Sequence, residues 1–242
     1  MQRIDRLGVL LSLAGGLALA FLPLVVFKAN RIVPGEPRAL LEVLPSWAAM
    51  VFYGVLAAAA VVALSVANPR TRLIAALVGI VVVVVSVAAA ANALTPAGNR
   101  VVRVAPGAAF WVVMIALGLL ATDALTRLRP GPLLRVLTLV AFLAAVLAAL
   151  GSGFFDDLSI MREYAVNATR FAREARQHLM LALGSLAGAA IVALPLGVIC
   201  HRQPRLQAAV LGTLNVVQTI PSIALFGILM APLAALAAAL PA

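Results

Sequence analysis

Long apolar runs separated by short polar connections dominate the chain. Each run has about 20 residues, the length that an α-helix needs to cross roughly 30 Å of hydrocarbon. We predict transmembrane helices at Leu7–Phe27, Trp47–Val66, Leu73–Leu94, Ala108–Leu125, Leu133–Leu150, Leu179–Cys200 and Leu206–Leu229. The apolar tail Met230–Ala242 extends the last helix or begins an eighth. The pattern predicts an all-α, polytopic integral membrane protein with about seven spans, because none of the runs alternates as a barrel strand does.

The longest hydrophilic segment divides the chain into three regions. Residues 1–150 form an N-terminal hydrophobic region of about five helices, residues 151–178 form an external connection, and residues 179–242 begin a second apolar region. Within the connection, charged positions such as Glu163, Arg170 and Glu174 alternate with apolar ones at helical spacing. That spacing predicts an amphipathic helix lying at the membrane interface, with an ordinary solvated loop as the alternative.

Composition supports the membrane assignment and charge indicates an orientation. The chain is 64% hydrophobic and 11% charged, whereas soluble domains carry roughly 25% charged residues. The net charge of +10 comes from basic residues scattered between apolar runs, which is typical of membrane loops and unlike a stripe that follows nucleic acid. Successive helices place their connecting loops alternately on the two sides of the membrane, and the basic residues divide equally between the two sides. The loops on the side of the N-terminus are shorter, so their basic residues are more closely spaced. This predicts a cytoplasmic N-terminus.

Residues suited to catalysis are few. His178 and His201 lie at opposite ends of one predicted helix, and the sequence lacks a metal-ligand cluster or a phosphate-binding glycine loop. A membrane enzyme is therefore not expected. An ion-coupled carrier would place ionisable groups inside the membrane, and Asp123 is the one candidate. An i,i+4 ion pair with Arg127 at the helix end explains Asp123 more simply.

Two short patterns indicate helix packing and a basic loop. Gly184, Ser185 and Gly188 form a small-residue motif that lets helix backbones approach closely in lipid, so we assign them to packing. Arg202 and Arg205 lie in the short connection before the last predicted span, on the side expected to be cytoplasmic.

The last predicted span contains a polar stripe. On a continuous helix, Asn215, Gln218, Thr219 and Ser222 fall within an arc of about 100°. Pro221 cannot donate to the carbonyl of the residue four positions earlier, so the helix should kink or open. The hydroxyl of Thr219 or of Ser222 is able to satisfy that carbonyl. The stripe either bonds to neighbouring helices or lines a polar path through the membrane, and the pattern alone favours neither.

These residues carry a family resemblance. The stretches "HLMLALGSLAGAAIVALPLGVICHR" (His178–Arg202) and "LNVVQTIPSIALFGILMAPL" (Leu214–Leu233) resemble the start of the permease core of binding-protein-dependent ABC importers, so we expect residues 179–242 to begin that core. Within them, "QTIPSIALF" (Gln218–Phe226) resembles in particular the branch that carries osmoprotectants such as glycine betaine and choline. The segments "NRIVPGE", "ATDALTR" and "DDLSIMREYA" resemble the long form of these permeases, which has an additional N-terminal transmembrane region. The resemblance extends over nearly the whole chain.

The resemblance implies a passive translocation subunit in a bacterial inner membrane. Its expected partners are a cytoplasmic ATPase subunit, a second permease subunit and a periplasmic or lipid-anchored binding protein. The chain itself would carry no cofactor, because the separate ATPase subunit binds the ATP. Asn215, Gln218, Thr219, Pro221 and Ser222 would then belong to the translocation pathway.

One family feature is not found in these 242 residues. Such permeases carry a cytoplasmic loop with an E-A-A-x3-G-type motif that docks into the ATPase, and we expect the permease core to be incomplete here. The alternative function is therefore a non-transporting membrane assembly or regulatory subunit.

Overall fold

The computed structural model describes residues 5–239, which divide into two compact units that part after Ala168. The helices are α1 (Arg6–Phe21), α2 (Leu40–Val43), α3 (Ser46–Ser65), α4 (Pro69–Leu94), α5 (Ala108–Leu128), α6 (Pro132–Gly151), α7 (Ser159–Arg202), α8 (Pro204–Thr219) and α9 (Ser222–Ala239). The strands are β1 (Val25–Lys28), β2 (Glu36–Arg38) and β3 (Arg103–Pro106). Residues 240–242 of the predicted apolar tail lie outside the described residues.

The predicted class of all-α polytopic membrane protein is confirmed. Among the described residues, five helices are long and apolar enough to cross a membrane, or up to six if α8 and α9 form one bent span. The predicted number was about seven, and the difference begins at the first span. Helix α1 has 16 residues and ends at Phe21, and not at Phe27 as predicted. Apolar residues continue past that point, but Val25, Val26 and Phe27 pair with two other strands and form β1.

The first unit is built around four packed helices, α1, α3, α4 and α5. Small side chains let these helices approach closely, and Ala49, Ala76, Ala90 and Ala109 are fully buried. At Gly8 on α1, a Cβ atom would lie 2.2 Å from the carbonyl oxygen of Ala63. Only glycine allows α1 and α3 to meet at that distance.

The three-stranded sheet, which the sequence pattern did not predict, packs on one end of this bundle. β1 lies between β2 and β3 and is antiparallel to both, with Val25 opposite Arg38 and Pro106. Val25 and Val104 are fully buried in the same cluster as Phe52 of α3. We call this end of the bundle the sheet end. The opposite end, where α1 and α4 begin and α5 ends, is called the ion-pair end.

Helix α7 begins in the first unit and continues into the second. Its backbone leaves helical geometry at Asn167 (φ −114°, ψ 15°), one residue before the units part. The segment predicted as a connection, residues 151–178, is therefore a turn followed by the first part of α7. The boundary after Ala168 lies inside that segment. The residues predicted to be amphipathic, from Glu163 to Arg176, are thus helical on both sides of Asn167, and their location at a membrane interface stays a prediction.

Candidate functional site

The last predicted span is interrupted at Ile220 and Pro221. Helix α8 ends at Thr219, Ile220 is extended (φ −74°, ψ 122°), and α9 begins at Ser222. The axes of the two helices differ by 103°. Pro221 has no N–H to offer the Val217 carbonyl, and the Ile220 N–H donates to that oxygen instead at 3.2 Å. The Pro221 carbonyl accepts from Leu225 N at 3.0 Å and so belongs to the start of α9.

The Thr219 hydroxyl bonds to a carbonyl of its own helix. Its Oγ1 donates to the Val216 carbonyl at 2.6 Å, so Thr219 is not the one of the two candidate hydroxyls that satisfies the carbonyl freed by Pro221. The Ile220 N–H donates to that Val217 carbonyl instead.

The break divides the polar stripe between two helices. Asn215, Gln218 and Thr219 are exposed near the end of α8, while Ser222 is the first residue of α9. The prediction that all four polar residues share one arc assumed a continuous helix. It applies only to the three residues on α8. Asn215 and Gln218 have no side-chain hydrogen bond to any other described residue. An unpaired amide is costly in lipid, so these two side chains require water, a ligand or another subunit beside them. Their assignment to the pathway stays a prediction.

The small-residue motif and the basic loop lie on exposed surfaces of the second unit. A Cβ atom at Gly184 or Gly188 would meet no described atom within 4 Å, and Ser185 Oγ donates to Ala182 O at 3.0 Å. Their role in helix packing therefore stays a prediction. Arg202 ends α7 and Arg205 is the second residue of α8, with both side chains exposed.

At the ion-pair end, four charged side chains join three helices of the first unit. The predicted pair is confirmed: Arg127 Nε lies 2.9 Å from Asp123 Oδ2 on the same helix. Arg72 of α4 adds a second cation, 3.4 Å from Asp123 Oδ2, and it also donates to Asp5 Oδ2. Arg127 Nη2 lies 3.4 Å from that Asp5 oxygen. The set, which we call the ionic lock, contains two cations and two anions.

Burial makes the ionic lock a structural feature of the bundle. The side chain of Arg72 is 2% exposed, while those of Asp5 and Asp123 are 21% and 17% exposed. Asp5 also caps α1, accepting from Leu7 N at 3.0 Å. Partial burial raises the pKa of Asp5, but the Arg72 guanidinium and the backbone donors lower it by more, so the pKa lies below its usual value. Asp123 had suggested an ion-coupled carrier. Its ion pairs with Arg72 and Arg127 explain this residue as a contact that joins helices.

A second polar cluster at the sheet end was not predicted. Glu163, near the start of α7 and ahead of its apolar part, accepts from Arg31 Nη2 at 2.5 Å, Arg31 Nε at 2.9 Å and Arg103 Nε at 2.9 Å. The hydrogen bonds from Arg103 and Arg31 hold the pKa of Glu163 below its usual value. Next to it, Arg162 donates to Val102 O at 3.0 Å and pairs with Asp157 at 2.6 Å. These contacts fasten the first turns of α7 to the sheet.

Among residues 5–239, no group of three His, Cys, Asp or Glu side chains is arranged to hold a metal ion. A cavity of about 470 Å³ lies between α1, α3 and α5, and Tyr53 supplies its one aromatic ring among mostly aliphatic side chains. One ring does not make the aromatic cage that binds quaternary ammonium groups.

Comparison with known proteins identifies the family of this chain. The family described as "ABC transporter permease YehY, N-terminal domain" matches residues 5–161. The chain belongs to this family. The matched residues contain the helical bundle, the sheet, the ionic lock and α6, and they end within the first turn of α7. A permease family indicates a transporter and not an enzyme, in agreement with the sequence.

Curated relatives match a shorter stretch. The chain is 36% identical over 67 residues to the carnitine transport permease protein OpuCD of Listeria monocytogenes, which is 28% of this chain and 30% of that protein. It is equally identical over 67 residues to the glycine betaine/carnitine/choline transport system permease protein OpuCD of Bacillus subtilis, of which the match covers 29%. The chain thus spans under a third of the length of either relative. No solved structure matches it.

Proposed function

We propose that this chain is a transmembrane translocation subunit of an ABC importer for osmoprotectants such as glycine betaine, carnitine or choline. The observation that carries the proposal is the 36% identity to permeases named for these solutes, joined in one chain to an ABC permease domain. In this proposal ATP is bound by a separate cytoplasmic subunit and the chain itself needs no cofactor. Its further partners are a second permease subunit, identical or homologous, and a periplasmic or lipid-anchored binding protein.

The broken span is the segment that we assign to the pathway. An interruption at Ile220–Pro221 frees backbone groups, and non-helical backbone at membrane depth is tolerated where it lines a cavity or is buried in protein. Asn215 and Gln218 have amide groups able to replace water around a polar solute. Substrate contact at the break would then be made by Asn215, Gln218, Thr219 and Ser222, with Pro221 setting the bend.

We further propose that the ion-pair end faces the cytoplasm of a bacterial cell and that the sheet end faces outward. Cysteine labelling tests this orientation in a Cys200→Ser background, since Cys200 is the one native cysteine. Ala97→Cys, exposed at the sheet end, should react with a membrane-impermeant maleimide in intact cells. Ala67→Cys, exposed at the ion-pair end, should react only after the membrane is opened. The reverse result contradicts the orientation.

Two assays separate transport from the alternative of a non-transporting assembly or regulatory subunit. The gene that encodes this chain, expressed with a neighbouring ATPase gene and binding-protein gene, should restore growth at high salt to a strain without osmoprotectant uptake when glycine betaine, carnitine or choline is supplied. The ATPase should also copurify with the permease. Copurification without rescue by any of the three solutes would favour the alternative, and the absence of both would contradict the proposal.

A further inference from the structure

A cleft of about 350 Å³ at the sheet end is lined mainly by basic and β-branched side chains. Its lining residues are Asn30, Arg31, Ile32, Arg100, Val101 and Arg103. None of them belongs to the ionic lock or to the proposed pathway. We call this site the arginine cleft.

Two loops of matching sequence form the cleft. One reads Asn-Arg-Ile-Val from Asn30 and the other reads Asn-Arg-Val-Val from Asn99. In each loop the asparagine Oδ1 accepts from the backbone N–H groups two and three residues later, at 2.8 and 3.0 Å. Each loop therefore holds an arginine and an apolar β-branched residue in the same local geometry.

Positive charge in the cleft exceeds negative charge. The lining has three guanidinium groups, and the carboxylate that pairs with them is that of Glu163, which Arg31 and Arg103 share. Three cations and one anion leave a local charge of +2. Arg100 is exposed and its side chain has no partner among the described residues. Like charges that line one cleft repel each other, so an additional anion between them would lower the electrostatic energy.

The guanidinium groups still have free donors. Arg103 uses Nε for Glu163 and Nη1 for the carbonyl oxygens of residues 100, 101 and 102, at 2.7, 3.1 and 3.0 Å. Its Nη2 remains unbonded within the described residues, as do Nη1 of Arg31 and the whole guanidinium of Arg100. Arg103 is held rigidly by these bonds, so its remaining donors are pre-organised. Forked N–H donors match the spacing of phosphate oxygens.

Exposed apolar side chains lie directly beside these donors. Ile32 is 93% exposed and Val101 is 59% exposed. A basic site with exposed apolar neighbours, on a chain with several membrane-spanning helices, is the combination that binds anionic lipid surfaces.

We propose that the arginine cleft binds a phosphate-bearing anion, which is either the headgroup of an anionic phospholipid or free phosphate. Arg100 and the free nitrogens of Arg31 and Arg103 donate to the phosphate oxygens. When the phosphate belongs to a phospholipid, Ile32 and Val101 contact its apolar part.

Calorimetric titration of the full chain in a nonionic detergent tests the proposal. The probes are dioctanoyl phosphatidylglycerol, dioctanoyl phosphatidylcholine and inorganic phosphate, which together separate lipid from free phosphate. Arg100→Gln should weaken binding of the anionic probe about tenfold or more, the loss of one charge-assisted hydrogen bond. The matched control is Arg70→Gln, because Arg70 is exposed, its side chain has no partner among the described residues, and it lies at the ion-pair end.

Each outcome of the titration decides the proposal. Saturable binding of phosphatidylglycerol that Arg100→Gln and Ile32→Ser both weaken supports the lipid headgroup. Saturable binding of inorganic phosphate that Arg100→Gln weakens and Ile32→Ser does not supports free phosphate. Equal affinities for Arg100→Gln and Arg70→Gln, equal binding of phosphatidylcholine and phosphatidylglycerol, or saturable binding of neither anionic probe would overturn the site. When neither anionic probe binds, loss of binding-protein capture in Arg100→Gln would mark the cleft as a protein contact instead.

Discussion

Substitution of Arg72 tests whether the ionic lock holds the helical bundle together. Arg72→Gln removes a cation that is 2% exposed and leaves the Asp5 and Asp123 carboxylates with only Arg127 as a cationic partner. Breaking a buried ion pair by removing one partner costs about 3–5 kcal/mol. Because the two carboxylates remain partly exposed, we expect the lower end, about 3 kcal/mol. At about 2–4 °C per kcal/mol for a unit of this size, Tm should fall by about 6–12 °C.

A double-mutant cycle isolates the contact between Arg72 and Asp5. Asp5→Asn alone should cost about 1–2 kcal/mol, because Arg72 keeps Asp123 as a partner. The double variant should cost about the same as Arg72→Gln, which gives a coupling of about 1–2 kcal/mol. Trp47 and Trp111, the two tryptophans of the chain, lie on α3 and α5, so their fluorescence during heating in detergent reports on the bundle.

The pH dependence of Tm tests the contact between Arg72 and Asp5 independently. The pKa of Asp5 is lowered in the folded chain. Its stabilising contribution is therefore complete above its unfolded pKa of about 3.9 and is lost as the pH falls through the folded value. Wild-type Tm should therefore fall more than that of Asp5→Asn on acidification below about pH 4. Arg70→Gln, two residues away and exposed, is the control. Equal Tm values for Arg70→Gln and Arg72→Gln, or strictly additive effects of the pair, would refute the reasoning.

Three further predictions concern the sheet end, helix packing and the broken span. Glu163→Gln should increase amide hydrogen exchange in residues 99–103, and acidification through the lowered pKa of Glu163 should do the same, because both remove the charge that Arg31 and Arg103 share. Gly8→Ala should destabilise the bundle by about 1–3 kcal/mol in the same thermal assay, because its Cβ would overlap the Ala63 carbonyl. Gln218→Leu should reduce solute uptake by the assembled transporter at unchanged membrane abundance.

Each of these predictions has a matched control. Glu174→Gln removes an exposed carboxylate whose side chain has no partner among the described residues, and it should leave exchange at residues 99–103 unchanged. Gly15→Ala places a Cβ where no described atom lies within 4 Å, so it should be neutral or stabilising. Gln207→Leu makes the same change as Gln218→Leu at the start of α8. If Gln207→Leu and Gln218→Leu transport equally well, the amide of Gln218 has no part in the pathway.

Local patterns predicted the helices well and the long-range contacts poorly. Apolar runs of about 20 residues locate spanning helices because the hydrocarbon thickness sets their length. The Asp123–Arg127 pair was predictable because residues four apart on a helix are neighbours. By contrast, Val25–Phe27 is as apolar as the helix before it. Its pairing with β3, almost 80 residues later, leaves no local trace in the sequence.

The polar clusters show the same limit. Arg72 looks like an ordinary loop arginine in the sequence, and it is among the most deeply buried side chains because Asp5 and Asp123 converge on it from two other helices. Glu163 looks like one charge in an amphipathic pattern, yet two arginines from distant loops bind it. The repeated Asn-Arg-Ile/Val-Val of the arginine cleft was visible in the sequence, and only the sheet brings its two copies together. The missing N–H of Pro221 is a local property, and it predicted where the helix is interrupted. It did not predict the 103° angle between α8 and α9.

Uptake of radiolabelled solute tests the central proposal most directly. Cells that express the gene for this chain with its ATPase and binding protein, in a strain without other osmoprotectant uptake, should accumulate glycine betaine, carnitine or choline at high osmolarity, and inactivating the ATPase should abolish the accumulation. Pro221→Ala should reduce it while the protein remains in the membrane. Accumulation of none of the three solutes above the level of cells without the gene, with all subunits present and copurifying, would contradict the proposed function.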